Sequence, residues 1–183
     1  KDAYMMLRSA IRLDDPVVFM EPKKMYWTKA ELDLDQLRAE FEEGWARVED
    51  KKEHGEAWAR AAVVREGTDV TLVSYGPSVP TCLAAAHAAA EEGLSVEVVD
   101  LRTVNPLDED TMTASVAKTG RAVVVHEAAR TLGMGAEIAA ISSMRLLVVC
   151  ASPPQISICS PVGKITTAPK PPLPGLPRQA PSV

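Results

Sequence analysis

Three strand-then-helix units follow one another between residues 69 and 141, and this alternation constrains the fold more than any other feature of the chain. Each unit opens on a short β-branched run: DVTLVSYG, SVEVVDLR or RAVVVHE. A turn signal and a stretch of helix-forming residues follow each run, with Gly93 placed to end a helix and Asp108 to begin one. Strands alternating with helices favour right-handed crossovers and a parallel sheet covered on both faces. The sequence therefore predicts an α/β fold, a three-layer sandwich with a mainly parallel sheet, over residues 63–150.

The composition excludes several classes of function. The chain has 183 residues, of which 46% are hydrophobic, so it can build the core of one domain with flanking pieces. Its formal net charge of −5 disfavours nucleic acid as a partner. No apolar run approaches the roughly 20 residues that span a bilayer, and the first residues, KDAYMMLRSAIRLDD, lack the layout of a signal peptide. We expect neither nucleic acid nor a membrane among the partners.

The cysteines do not suggest a metal site. Cys82, Cys150 and Cys159 are odd in number, are widely spaced and show no metal-ligand spacing. We expect buried thiols in a reducing compartment.

The first 26 residues predict two elements that cannot close a core alone. Asp2–Arg12 has the pattern of a helix, and VVFME at 17–21 predicts a strand that ends at Pro22. One helix and one strand leave their apolar faces uncovered. We therefore expect residues 1–26 to be the C-terminal end of a preceding domain.

Residues 27–62 predict a charged linker that contains an amphipathic helix. Apolar residues recur at steps of three and four and form one stripe on that helix: Leu34, Leu37, Phe41, Trp45 and Val48. Two interpretations stay open at this point. The helix docks on the domain as a connector, or it presents its stripe to a partner.

Residues 151–183 form a proline-rich tail of different character. Nine of the 14 prolines fall here, and no Asp or Glu does. Proline at this density blocks helices and sheet interiors, so we expect a disordered or loosely extended segment. The run KPPLPGLP leaves open a polyproline ligand for a partner module.

His126 is the strongest candidate for a functional side chain. It stands at the C-terminal end of a predicted parallel strand, where open α/β sheets bind their ligands, with Glu127 and Arg130 beside it. A structural histidine at a subunit contact is the competing interpretation. His87 in an Ala-rich helix and His54 in a charged run complete no metal site.

Two other chemistries are disfavoured by what the motifs lack. GMGAEI at 133–138 has half of a dinucleotide fingerprint, but Ile138 replaces the third Gly and no acidic residue follows Glu137. The tight turn and the helix N-terminus still need small residues and could hold an anion. Ser74 and Ser78 lack the G-x-S-x-G context of a hydrolase nucleophile.

Several ordered motifs together resemble one known family. VREGTDVTLVSYGPSV, EVVDLRTVNPLDEDT and KTGRAVVVHEAARTLGMGAEIAA are similar to the C-terminal domain of the β subunit of thiamine-diphosphate-dependent 2-oxo acid dehydrogenases, and more widely to transketolase C-terminal domains. LRSAIRLDDPVVFMEPKKMYW resembles the end of that subunit's pyrimidine-binding domain. EPKKMYW is closer to the branched-chain type than to the pyruvate type.

The resemblance implies a role in a larger complex. Thiamine diphosphate and magnesium would lie between an α subunit and the β pyrimidine domain, whose catalytic Glu and His precede residue 1, so this chain would supply no catalytic or cofactor-binding residue. Expected partners are the α subunit, a second β subunit and the dihydrolipoyl acyltransferase core. Expected interface residues are His126, Glu127, Arg130, Gly133, Gly135 and Glu137. The location would be the bacterial cytoplasm, or the mitochondrial matrix in a eukaryote.

The resemblance also implies a structural potassium ion in the loop that matches AIRLDD. The corresponding positions are Ala10, Ile11, Leu13 and Asp15. Backbone carbonyls and a carboxylate are suitable ligands for a hard cation. Leu13 replaces the acidic residue that relatives often have.

The chain departs from the family after Ile141. SSMRLLVVCASPPQISICSPVGK replaces the family's last helices and strand, so we expect an altered ending that leaves a sheet edge and an apolar face exposed. Two alternatives to a dehydrogenase fragment remain: a non-enzymatic interaction module that uses the tail or the 34–48 helix, and a transketolase-like or deoxyxylulose-phosphate-synthase-like enzyme fragment.

Overall fold

The computed structural model describes residues 1–29, 31–46, 59–129, 132–142, 147–152 and 155–159, with the backbone alone over the last two ranges. The described strands are β1 (Ala62–Arg65), β2 (Val70–Ser74), β3 (Val96–Asp100), β4 (Arg121–Val125), β5 (Leu147–Ser152) and β6 (Gln155–Cys159). The described helices are α1 (Asp2–Arg12), α2 (Leu34–Ala46), α3 (Ser78–Glu91), α4 (Glu109–Thr119) and α5 (Met134–Ser142), with a 3₁₀ turn at Lys23–Met25. None of the described helices is long and apolar enough to cross a membrane.

The described strands form one sheet in the order β1-β3-β2-β4-β5-β6. The four inner strands are parallel, and β1 and β6 are antiparallel to their neighbours. Ser74 at the end of β2 pairs with Asp100 of β3 on one side and with Val125 of β4 on the other. The prediction of a mainly parallel sheet built from three strand-helix units is confirmed.

Helices cover both faces of the sheet because successive strand residues point to opposite sides. Val98 packs with Cys82 and Ala86 of α3 on one face. The next residue, Val99, belongs to the larger core on the other face, under α4 and α5. That core contains Val73, Val99, Leu101, Met112, Val116, Ala122, Val124, Ile138 and Ala139. The three-layer arrangement is therefore confirmed.

Capping residues set the helix ends where the sequence indicates. Asp108 is the N-cap of α4, and its carboxylate accepts the Thr111 amide at 3.0 Å and the Ala61 amide at 2.9 Å. Gly93 follows α3 in the left-handed conformation, with φ of 82°. The Asp108 contact also ties the start of β1 to the start of α4.

A buried acidic residue lies inside the sheet. Glu97 of β3 is fully buried, and its carboxylate forms an ion pair with Lys118 of α4. The Lys118 ammonium also donates to the Glu66 carboxylate at 2.6 Å. The hydrogen bond to Glu66, and then that to Glu97, raises the pKa of Lys118, so its ammonium stays charged and neutralises the buried carboxylate.

The two N-terminal helices pack against each other. The Glu42 carboxylate of α2 accepts from Arg8 at 2.7 Å and from Arg12 at 2.7 and 2.9 Å. Both guanidinium groups stack over the Phe41 ring, at 4.8 and 4.9 Å from its centroid. Leu37 is buried and Phe41 packs against α1, which disfavours a free partner-binding stripe. Docking of this helix on the α/β domain stays a prediction. Val48 lies outside the described residues.

The structure corrects two predictions. The expected strand at 17–21 is absent, since none of the described strands pairs with this segment and β-branched residues alone do not make a strand. The expected tail without regular structure is wrong for residues 151–152, which end β5, and for residues 155–159, which form β6. β6 occupies a proline-free window, and β5 covers the edge of β4 that we expected to be exposed.

Candidate site at the carboxyl edge of the sheet

The order of the strands reverses between β2 and β4. From β2 the chain continues to β3 on one side, and from β3 it returns to β4 on the other. The connections that leave β2 and β4 lead to helices on opposite faces of the sheet, because α3 and α5 pack against different cores. A crevice for a ligand or a partner forms at such a switch point in open α/β sheets. Tyr75 follows β2 and His126 follows β4 at this point.

The His126 imidazole is buried and held between ring and backbone. Its side chain is 2% exposed, and its ring stacks on Tyr75 with the centroids 6.3 Å apart and the planes 10° from parallel. The Nδ1 atom has no hydrogen-bond partner among the described residues. Burial lowers the pKa of His126, so the imidazole is neutral at pH 7. A neutral, inward-facing imidazole supports the loop that follows it.

The first turn of α5 lies directly against this imidazole. A Cβ atom added at Gly135 would lie 2.0 Å from Nε2 of His126. A Cβ atom added at Gly133 would lie 2.0 Å from the Ala129 carbonyl oxygen. Both glycines of the fingerprint-like motif are thus required by packing within the chain. This packing accounts for the motif without a bound phosphate.

Replacement of Gly135 by alanine is expected to lower the free energy of unfolding by about 1–3 kcal/mol, because the new methyl group overlaps the His126 ring. In a His126→Ala background the same replacement should cost less, since the ring is gone. Urea unfolding of the four proteins measures this coupling. Gly44→Ala is the matched control, because nothing lies within 4 Å of a Cβ atom there, and a helix interior gains from alanine. If Gly135→Ala lowers the free energy of unfolding equally with and without the His126 ring, the contact between the two residues is contradicted.

Stability is expected to fall on acidification through the ionisation of His126. The folded-state pKa is lowered by burial, so the unfolded state binds the proton first as the pH falls below 6.5. The free energy of unfolding should therefore rise with pH between the folded-state pKa of His126 and 6.5. In the His126→Asn variant, the free energy of unfolding should depend less on pH over this range. Urea unfolding from pH 4.5 to 8 tests the prediction, with His87→Gln on the exposed side of α3 as control. An unchanged slope in His126→Asn would refute it.

The predicted interface residues divide into buried and exposed groups. His126 and Gly135 are buried and in contact, Gly133 is half-buried, and Glu127 and Glu137 are exposed. Arg130 lies outside the described residues. A subunit contact through Glu127 and Glu137, with the other three as internal support, stays a prediction. Tyr75 was missed by sequence reasoning, although its position directly after a predicted strand was the signal that could have found it.

The predicted potassium ligands lie at the end of α1. Ala10 and Ile11 are in its last turn, Leu13 is the C-cap with an extended ψ of 149°, and Asp15 is exposed. The last carbonyl groups of a helix have no partner within the helix and carry partial negative charge. Carbonyl oxygens and one carboxylate fit a hard cation. The described residues contain no group of three or more His, Cys, Asp or Glu side chains that could hold a metal ion, so the site would depend on backbone oxygens and stays a prediction.

Comparison with known proteins places the chain in a family. Residues 59–172 match the family model for the transketolase C-terminal domain. Relatives named pyruvate dehydrogenase E1 component subunit beta are 43% identical in Staphylococcus epidermidis, over 83% of this chain and 42% of the relative. The protein of the same name from Leifsonia xyli subsp. xyli is 42% identical over 76% of this chain and 36% of the relative. The one from Staphylococcus aureus is 39% identical over 91% of this chain and 44% of the relative.

A solved structure of a split-gene transketolase, an inactive beta4 tetramer, is also similar. It is 31% identical, has a TM-score of 0.49, and the alignment covers 51% of this chain and 32% of that chain. This chain spans less than half of the length of the curated relatives that it matches. The family model covers residues 59–172, which is more than half of the chain and includes every described strand. The match continues past Ile141, so the expectation that the chain departs from the family there is wrong. The chain therefore belongs to the transketolase C-terminal domain family, and its α/β fold is the fold expected for that family.

Proposed function

We propose that this chain is the C-terminal part of the β subunit of a 2-oxo acid dehydrogenase. The observation that carries the proposal is the identity of 39–43% to pyruvate dehydrogenase E1 component subunit beta over 76–91% of the chain. The reaction of the whole complex would be oxidative decarboxylation of a 2-oxo acid with acyl transfer to lipoyl-lysine. The 2-oxo acid is pyruvate, as in the names of these relatives, or a branched-chain 2-oxo acid, as EPKKMYW suggests.

The contribution of this chain is scaffold and subunit interface. When bound, thiamine diphosphate supplies the carbanion-stabilising chemistry of decarboxylation. We assign thiamine diphosphate and its magnesium to the α subunit and the pyrimidine-binding domain, because the resemblance to the β subunit implies that the catalytic residues lie there.

The surface next to the strand switch point is the part we assign to subunit contact. Glu127 and Glu137 are exposed there, on a loop and a helix held in place by the buried His126–Gly135 contact. A rigid internal support lets exposed side chains meet a partner at little entropic cost. The partners would be an α subunit, a second β subunit and the acyltransferase core, in the bacterial cytoplasm or the mitochondrial matrix.

Co-expression with a matching α subunit is expected to give a stable complex that has no decarboxylation activity with added thiamine diphosphate. Size-exclusion chromatography and a decarboxylation assay measure the two properties. Glu127→Lys should weaken the complex, because it reverses a charge on the assigned surface, whereas Glu91→Lys at the end of α3 should not. Turnover by the complex would show that catalytic groups lie within this chain. Failure to form a complex, with binding of other proteins through residues 160–183 alone, would favour an interaction module.

A further inference from the structure

One residue at the carboxyl edge adopts a backbone conformation that its side-chain type disfavours. Arg102 follows β3 and has a φ of 60°. The left-handed region costs a residue with a Cβ atom roughly 1–2 kcal/mol, and glycine occupies it without that cost. The Arg102 amide donates to the Asp100 carboxylate at 2.9 Å, which holds the turn. The backbone alone gives no reason for an arginine at this position, so its side-chain contacts decide what the residue does.

The Arg102 side chain reaches the other end of the chain. Its Nη2 atom donates to the Asp2 carboxylate at 2.6 Å, a contact between residues 100 positions apart. Asp2 is in the first turn of α1, where the helix dipole favours a carboxylate. Burial, and in addition the negative charge of Asp2, raises the pKa of Asp100, against the opposing effect of the Arg102 amide and charge.

The contact with Asp2 positions more than one helix. α1 is joined to α2 through the pairs of Arg8 and Arg12 with Glu42. Lys1 adds an ion pair to Glu40 of α2 at 2.6 Å. A contact that fixes the start of α1 relative to β3 therefore also fixes α2.

We propose that Arg102 is a positioning residue that fastens the α1–α2 unit to the carboxyl edge of the sheet. The guanidinium pairs with Asp2 of α1, and the backbone amide of the same residue is held by the Asp100 carboxylate after β3. Its left-handed backbone directs the side chain toward α1. The role does not depend on the proposed function, because it rests on contacts within this chain.

Arg102→Gly separates this role from that of a simple turn residue. Glycine relieves the backbone strain and removes the guanidinium, so global stability should be kept or increased. Hydrogen exchange of the α1 amides, from Met6 to Arg12, should accelerate by about three- to tenfold if the guanidinium holds α1. Native-state hydrogen exchange of the full chain, followed by mass spectrometry, measures both the global stability and the exchange rate of the α1 amides. A simple turn residue would leave α1 exchange unchanged, and that result would overturn the proposal.

Asp2→Asn provides the second arm of the test. It leaves the backbone of Arg102 intact and should accelerate α1 exchange to the same extent, with no further gain in the double variant. Asp35→Asn is the matched control, because the Asp35 carboxylate is 95% exposed and pairs with Arg38 within α2 at 3.8 Å. It should leave α1 exchange unchanged. If Arg102→Gly does not fold, Asp2→Asn decides alone, and normal α1 exchange in that variant overturns the proposal.

Discussion

Gly67→Ala is expected to lower the free energy of unfolding by about 3 kcal/mol, at the upper end of what overpacking costs. A Cβ atom at Gly67 would lie 2.2 Å from the Glu97 nitrogen, 2.3 Å from the Val96 carbonyl carbon and 2.7 Å from the Val96 carbonyl oxygen. These are backbone atoms of a central strand, so they cannot rotate away as a side-chain tip can. The methyl group can be accommodated only if β3 or the turn before β2 shifts.

Hydrogen bonds on both sides of the contact oppose such a shift. The amides of Thr68 and Asp69 donate to the Ser95 carbonyl at 3.1 and 2.8 Å, and the Ser95 amide donates to the Asp69 carboxylate at 2.8 Å. Chemical unfolding followed by circular dichroism measures the loss, with Gly44→Ala as the control that should not destabilise. A loss in Gly67→Ala below about 1 kcal/mol would mean that the turn is freer to move than these contacts indicate.

Leu101→Ala is expected to cost about 3 kcal/mol, because it removes a fully buried side chain from the larger core and leaves a cavity. Leu101 continues β3 by one residue, and its amide donates to the Ser74 carbonyl at 2.8 Å. That bond fixes the backbone and limits how far the cavity can collapse. Leu101→Met, which nearly conserves volume, should cost less than about 1.5 kcal/mol.

Leu132→Ala is the matched control for this core substitution. The Leu132 side chain is 99% exposed, so its truncation should change the free energy of unfolding by less than about 0.5 kcal/mol. Urea unfolding midpoints of the unmodified chain, Leu101→Ala, Leu101→Met and Leu132→Ala, all measured at one pH, test this comparison. Similar losses for the two Leu→Ala variants would contradict the assignment of Leu101 to the core.

Local patterns in the sequence predict the strands and helices of residues 69–141, because each β-branched run and each Ala-rich or capped helix carries its own signal. The two antiparallel edge strands carry only short signals, two valines in β1 and two alternating isoleucines in β6. β1 is defined by pairing between Ala62 and Asp100, which lie far apart in the chain, and β6 by its pairing with β5. Pairing partners of this kind are set by tertiary contacts that the propensity of a short segment does not contain.

In the candidate site too, some features follow from local sequence patterns and others depend on tertiary contacts. The position of His126 at the end of a strand follows from the sequence, and the structure brings Gly135 to it. The stack with Tyr75 depends on β2 and β4 being neighbours, which is a property of the sheet order. The left-handed backbone of Arg102 has no sequence signal at all, because arginine does not favour that conformation.

The burial of Glu97 couples β3 to α4. Glu97 lies on the same face of the sheet as Val99, which α4 and α5 cover, and its carboxylate pairs with Lys118 of α4. Before α4 docks, this face is open and water solvates the carboxylate. Docking removes that water and supplies the ammonium in the same event, so α4 cannot shift along the sheet without leaving a buried carboxylate unpaired.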